Sequence, residues 1–135
     1  MPTLALIAHD GKKDALVAFC QHHKIALSKL HLIGTGTTGR RIAQATGLTV
    51  ERFLSGPLGG DAQIASLVAT GNCQAVIFIV DPLSAHPHDP DIQGLMRVCN
   101  VHNIPLATNI ATAEMVIAMM GKEGERVSGV GICDR

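Results

Sequence analysis

Asp61 closes the segment Ser55-Gly-Pro-Leu-Gly-Gly-Asp61, and a carboxylate next to paired glycines has two readings. One is a helix cap. The other is a base held close to a bound anion. A site built only to bind a dianion excludes a carboxylate, because like charges repel. Removal of a proton from the bound molecule justifies that cost, so Asp61 is read as a general base. The anion site is suggested by Gly34-Thr-Gly-Thr-Thr-Gly39. Backbone N–H groups at a helix N-terminus, with the hydroxyls of Thr35, Thr37 and Thr38 beside them, form a phosphate cradle. Ser55 and Gly56 can close it from a neighbouring loop, and Lys13 can supply the countercharge. A tight glycine turn with threonine caps explains one such loop as well, but it explains two facing loops beside a lysine less well.

A further cluster is His86-Pro-His88-Asp-Pro-Asp91, with Asp81 upstream. Alternate histidines with nearby aspartates can ligate zinc or iron. Prolines can instead preorganise the loop so that His88 and Asp91 transfer protons. No further ligands stand at helical spacing, so proton transfer is preferred and no metal is expected. Arg97 is either a surface ion-pair partner or a phosphate contact. His22, His23, His31 and His102 read as solvent-facing or structural. Gly34 to Gly39 also satisfies G-x-G-x-x-G, a dinucleotide signature. It follows the second apolar run rather than the first. The next run ends in Leu54-Ser55, where an acid for the ribose would stand, so that reading is disfavoured.

The elements that must position these groups alternate between apolar runs and amphipathic stretches. Apolar runs at Thr3 to Ala8, Lys29 to Ile33, Leu48 to Leu54, Ala75 to Val80 and Pro105 to Ala107 read as strands. Helical spacing covers Lys12 to Lys24, Gly39 to Thr46, Asp61 to Thr70, Asp91 to Asn103 and Ala111 to Met120. Gly47 and Gly71 suit helix C-terminal ends, and Asp61 suits a helix start. No element is assigned after Gly121. Apolar strands each followed by a helix imply a parallel sheet covered on both faces and right-handed crossovers. The expected fold is a three-layer doubly wound α/β sandwich with a mainly parallel sheet of about five strands, one domain over residues 1–135. Ligands of such folds sit beyond the carboxyl ends of the strands. All the polar segments above fall there: His9 to Lys13, Gly34 to Gly39, Ser55 to Asp61, Asp81 to Asp91 and Thr108-Asn109.

Composition narrows the function. The chain has 135 residues, 47% hydrophobic and only 16% charged, which excludes a disordered or coiled-coil chain. Lys+Arg and Asp+Glu are both 11, so neither nucleic acid nor an anionic membrane surface is an expected partner. Trp and Tyr are absent, which removes aromatic base-stacking platforms. No secretory signal or membrane-spanning run is present. Four scattered cysteines, Cys20, Cys73, Cys99 and Cys133, read as reduced thiols of a cytoplasmic protein.

Taken in order, Ala8-His-Asp10 with Lys13, Thr35-Gly-Thr-Thr-Gly39, Ser55-Gly-Pro-Leu-Gly-Gly-Asp61, Asp81-Pro-Leu, Pro87-His-Asp-Pro-Asp91 and Asn103-Ile-Pro-Leu-Ala-Thr-Asn109 resemble the methylglyoxal synthases. The match covers about nine-tenths of the chain, and the combination is specific although each piece is not. The fold is also similar to regulatory domains that lack the full Asp/His set. The resemblance implies conversion of dihydroxyacetone phosphate to methylglyoxal and inorganic phosphate, with no metal and no organic cofactor. It carries Asp61 over as the catalytic base, with His88 and Asp91 beside it. It carries Lys13, Thr35, Gly36, Thr37, Thr38, Ser55 and Gly56 over as phosphate contacts, and His9 and His88 as groups touching the substrate oxygens. Asp10, Asp81 and Arg97 are supporting residues. It also implies a homohexamer inhibited by phosphate. One departure is the tail after Gly121, shorter than the family's, which supplies an arginine near the site. Arg126 and Arg135 are the tail arginines here.

Two rivals share parts of this pattern. A regulatory module sensing a phosphorylated metabolite needs the cradle but not Asp61, His88 and Asp91 together. A metal-dependent hydrolase needs the His86 to Asp91 loop loaded with a cation.

Overall fold

Thr3–Ala8 forms strand β1, whose six residues are all buried. In the computed structural model, which describes residues 1–54, 59–83 and 92–125 (the last four by backbone alone), it lies at the centre of a five-stranded sheet. The other strands are β2 (His31–Thr35), β3 (Val50–Phe53), β4 (Ala75–Ile79) and β5 (Leu106–Ala107). Their order is β3-β2-β1-β4-β5 and every pairing is parallel. The order reverses between β1 and β4, so the switch point of the sheet lies at their carboxyl ends. Ala8 faces Ile79 in register there, and Thr35 faces Phe53 at the end of the neighbouring pair.

The helices are α1 (Lys13–His22), α2 (Lys24–Leu27), α3 (Gly36–Thr46), α4 (Gly60–Ala69), α5 (Ile92–Val101) and α6 (Ile110–Glu125). A short 3-10 turn, Asp10–Lys12, joins β1 to α1. Alternate residues of β1 face opposite layers. Leu4, Leu6 and Ala8 pack with Leu16, Phe19 and Cys20 of α1, Leu27 of α2, Ile42 of α3 and Ile117 of α6. Ala5 and Ile7 pack with Ile64 and Val68 of α4 and Leu95 and Cys99 of α5. Connections from β1 outward to β3 therefore cover one face, and those from β3 across to β5 cover the other. Right-handed crossovers running in opposite directions require this division.

Glycine marks several boundaries as expected. Gly47 takes φ +77° and donates its N–H to Ala43 O at 2.9 Å, ending α3. Gly71 takes φ +81° just after α4. Other boundaries differ. β2 runs to Thr35, two residues past the expected end, because the β-branched Thr35 still pairs with Phe53. α3 then begins at Gly36 instead of Gly39, so strand passes into helix with no loop. α6 continues through Gly121, which is not in the left-handed region, to Glu125. Asp61 lies inside the first turn of α4; the cap is Gly59 at φ +98°.

Among the described residues no helix is long and apolar enough to cross a membrane. Cys20, Cys73 and Cys99 are free thiols in the core. Burial pushes Cys20 up to about 12 and Cys99 to about 11, and raises Cys73 as well. The neutral thiol is the form the folded core holds. The unfolded chain ionises near the ordinary value of 9.0, so this contribution to stability is complete below that pH and is lost as pH rises toward the folded values. The expected result is a melting temperature that falls steadily above about pH 9. A Cys20→Ala, Cys73→Ala, Cys99→Ala variant should show a flatter alkaline limb in calorimetry at matched pH.

Candidate active site

The carboxyl ends of β1, β2, β3 and β4 are followed by different parts of one rim. His9 follows β1 directly and is 8% exposed. Its main-chain N–H donates to Ile79 O at 3.1 Å, continuing the β1–β4 ladder one step past the sheet. The Asp81 main-chain N–H donates to His9 Nδ1 at 3.0 Å, and the ring meets Phe78 edge-on with centroids 5.2 Å apart. An amide can only donate, so Nδ1 is the acceptor and the neutral ring carries its proton on Nε2. His9 is thereby set up as a hydrogen-bond donor through Nε2.

Asp10 opens the 3-10 turn and its carboxylate pairs with the ammonium of Lys13, three residues on. Lys13's side chain is 15% exposed, so this partner holds a largely buried cation at the start of α1. Asp81 ties the next segment. Its Oδ1 accepts the Leu83 N–H at 3.1 Å, and its other oxygen lies where a β-carbon on Gly11 would stand. Gly11 thus permits the close approach of the turns after β1 and β4.

Thr35 ends β2 and is buried at 3% exposure. Gly36 and Thr37 to Gly39 form the first turn of α3, with Thr38 buried and Thr37 exposed. The Gly36 N–H is occupied by Leu54 O at 3.4 Å, and Thr35 makes no side-chain cap. The amides of Thr37 and Thr38 have no intrahelical acceptor, as in any first turn. Glycines at 34 and 39 let α3 begin against its own strand: a β-carbon on Gly34 would lie 3.2 Å from Gly39 Cα.

Asp61 is brought to this turn by Gly60. A β-carbon on Gly60 would overlap the Leu54 carbonyl and lie 3.0 Å from Thr35 Cγ2. The first turn of α4 therefore abuts the end of β2. Gln63 fastens the arrangement by accepting the Leu54 N–H on Oε1 at 2.8 Å. Asp61 is half-buried in that turn, where the helix dipole favours an anion.

Expected site residues thus divide into four groups. His9, Asp10, Lys13 and Asp81 gather at the switch point, and Thr35, Gly36, Thr37, Thr38 and Asp61 gather at the adjoining strand ends. Arg97 is exposed on α5, beside Gln93, Met96, Asn100 and Val101. Ser55, Gly56, His88 and Asp91, with His86, lie outside the described residues. Among the described residues no three His, Cys, Asp or Glu side chains cluster to hold a metal. Of the four histidines read as solvent-facing or structural, His22 and His102 are exposed. His31 bridges Thr3 Oγ1 and Glu51 Oε1, both at 3.1 Å, and His23 packs on Phe19 with centroids 4.6 Å apart. Sequence inspection missed three positioning groups: Gly60, Gln63 and the Asp81 amide. Only Gly60 left a trace, as the glycine directly before Asp61.

An open parallel α/β sheet whose polar side chains collect where the strand order reverses defines a small-molecule site of the doubly wound class. Residues 15–108 match the family described as MGS-like domain. A methylglyoxal synthase of Thermus thermophilus is 62% identical over 122 residues, 90% of this chain and 97% of the relative. One from Caldicellulosiruptor saccharolyticus is 59% identical over 119 residues, 88% of this chain and 84% of the relative. The crystal structure of methylglyoxal synthase from Elizabethkingia anophelis NUHP1 superposes with a TM-score of 0.84 at 47% identity, covering 87% of this chain and 77% of that one. The chain belongs to the methylglyoxal synthase family.

Gly60→Ala should be damaging although it adds one methyl group. The overlap is with backbone, which cannot rotate away, so destabilisation of about 1–3 kcal/mol is expected. Thermal unfolding would show a melting point lower by several degrees. Steady-state rates measured well below that temperature should also fall, because Asp61 moves with Gly60.

Proposed function

We propose that the chain is a phosphate-eliminating carbon–oxygen lyase that converts dihydroxyacetone phosphate to methylglyoxal and inorganic phosphate. The observation that supports this reading is the close approach of Gly60 to Leu54 and Thr35, which puts the first turn of α4, the turn that includes Asp61, against the end of β2. Asp61 acts as the base. It takes a proton from the hydroxymethyl carbon next to the ketone, leaving an enediolate. His9, with its proton on Nε2, donates to a developing oxyanion, and His88 is assigned the same task. The enediolate electrons then expel phosphate by breaking the C–O bond, and the enol product tautomerises to methylglyoxal.

That expulsion requires the C–O bond to stand out of the enediolate plane. The phosphate contacts therefore fix a torsion as well as bind a dianion. Lys13, Thr35, Gly36, Thr37, Thr38, Ser55 and Gly56 are assigned this role, and the cation and amides also stabilise charge on the departing phosphate. Asp91 relays protons between oxygens. Asp10 and Asp81 position Lys13 and His9, while Arg97 has a supporting role.

The working form is a homo-oligomer, a hexamer on the family pattern, inhibited by its product phosphate. Exposed Val101, Met115 and Met119 supply apolar surface for assembly. Three buried free thiols fit a reducing, cytoplasmic setting.

Incubation with dihydroxyacetone phosphate should release methylglyoxal and phosphate in equal amounts, unchanged by a chelator. Loss of activity on chelation would favour the metal hydrolase instead. Asp61→Asn should lower kcat by about 10²–10⁴-fold with KM nearly kept. Near-normal turnover in that variant would remove the base assignment. Lys13→Ala should raise KM and weaken phosphate inhibition by about tenfold or more, the loss expected for one charge-assisted contact.

A further inference from the structure

A second cavity, of 370 Å³, opens between the ends of β4 and β5 on the α1 and α6 side. Its walls are Lys12, Ala15, Ile79, Val80, Pro82, Thr108, Asn109 and Ile110, none of which has a part in the lyase reaction. The volume falls in the range of small-molecule pockets, about 300–1,000 Å³.

The polar groups of this cavity are unbalanced. Several acceptors are already engaged. Thr108 O takes the Val80 N–H at 3.1 Å, and Ile79 O takes the His9 N–H at 3.1 Å. Asn109 Oδ1 takes the Thr112 N–H at 2.9 Å, and Asn109 O takes the Ala113 N–H at 3.0 Å. The side-chain groups that remain can all donate: the Lys12 ammonium, the Thr108 hydroxyl and the Asn109 amide NH₂. Lys12 is half-buried, and among the described residues its ammonium has no ion pair or hydrogen bond, unlike its neighbour Lys13. Among the described residues no carboxylate lines the cavity. The other walls are apolar, with Ile79 2% exposed at the floor.

We infer that this cavity binds a small organic anion, a carboxylate or phosphate head on a short hydrocarbon stem. The head meets Lys12, Thr108 and Asn109, and the stem lies on Ile79, Val80, Pro82 and Ile110. The site is separate from the catalytic rim but shares its supports. The Lys12 N–H donates to His9 O at 2.8 Å, and Val80 and Pro82 flank Asp81, whose N–H holds the His9 ring.

The test uses the full chain carrying ¹³C-labelled isoleucine methyl groups. Butyrate at ~10 mM should shift the Ile79 and Ile110 methyl signals with a millimolar Kd, the affinity open to so small a ligand. Propyl phosphate in a parallel titration shows which head the site prefers. Butanol, with the same stem and no charge, should shift them at least tenfold less. Lys12→Met should abolish the shifts while leaving the rest of the methyl spectrum and the rate of methylglyoxal formation unchanged. No shift with either anion, an equal response to butanol, or a response surviving Lys12→Met would each overturn the proposal. The readout is ligand occupancy rather than turnover, so its failure is distinct from a failure of the lyase reading, which the methylglyoxal assay reports.

Discussion

Strands β1 and β4 pair in parallel over five residues, from Leu4 with Ala75 to Ala8 with Ile79, and both are buried on their two faces. The chain leaves this pair in opposite directions across the sheet, so no crossover helix closes the gap above its end. Polar groups can stand there only if their hydrogen bonds are supplied locally. The His9 N–H to Ile79 O bond and the Asp81 N–H to His9 Nδ1 bond do so, one extending the ladder and one converting a main-chain amide into a ring orienter. A buried imidazole with a fixed tautomer is the outcome, and the adjacent Asp10–Lys13 pair and Asp81 turn are built around it.

The other half of the rim relies on missing atoms. Gly34, Gly39 and Gly60 have no β-carbon, and that lets two helix N-termini converge on Thr35. Each close approach brings a helix N-terminus, with its unpaired main-chain N–H groups, to the end of β2, the kind of place that suits an anion. Steric allowance and electrostatic design are thus one feature. A larger residue at Gly60 would push the turn that carries Asp61 away from Leu54 and Thr35.

Much of this is legible in the residues. Continuous apolar runs such as Ala75 to Val80 identify buried parallel strands, and the rule that ligands sit at strand carboxyl ends collects His9, Lys13, Thr35 and Asp61 from the sequence alone. The less legible parts involve backbone and close contact. Nothing about the type of residue 81 discloses that its amide faces His9, since every non-proline residue carries that donor. The Gly34 to Gly39 segment looks like a loop because glycine and threonine are poor helix formers; tertiary packing of α3 against β2 and β3 overrides that preference. Asp61 looks like a cap because aspartate favours that position, yet Gly59 in the left-handed region takes it and leaves Asp61 two residues further in.

The sheet's two margins are unequal to its centre. On one side β5 has only two residues, with Pro105 just before it. On the other, β3 presents exposed Glu51 and Arg52, and Glu51 is held by His31. Short length, proline and flanking charge are the features that discourage a foreign strand from adding on. Edge-to-edge pairing of two copies of this chain through β3 or β5 is disfavoured on the same grounds.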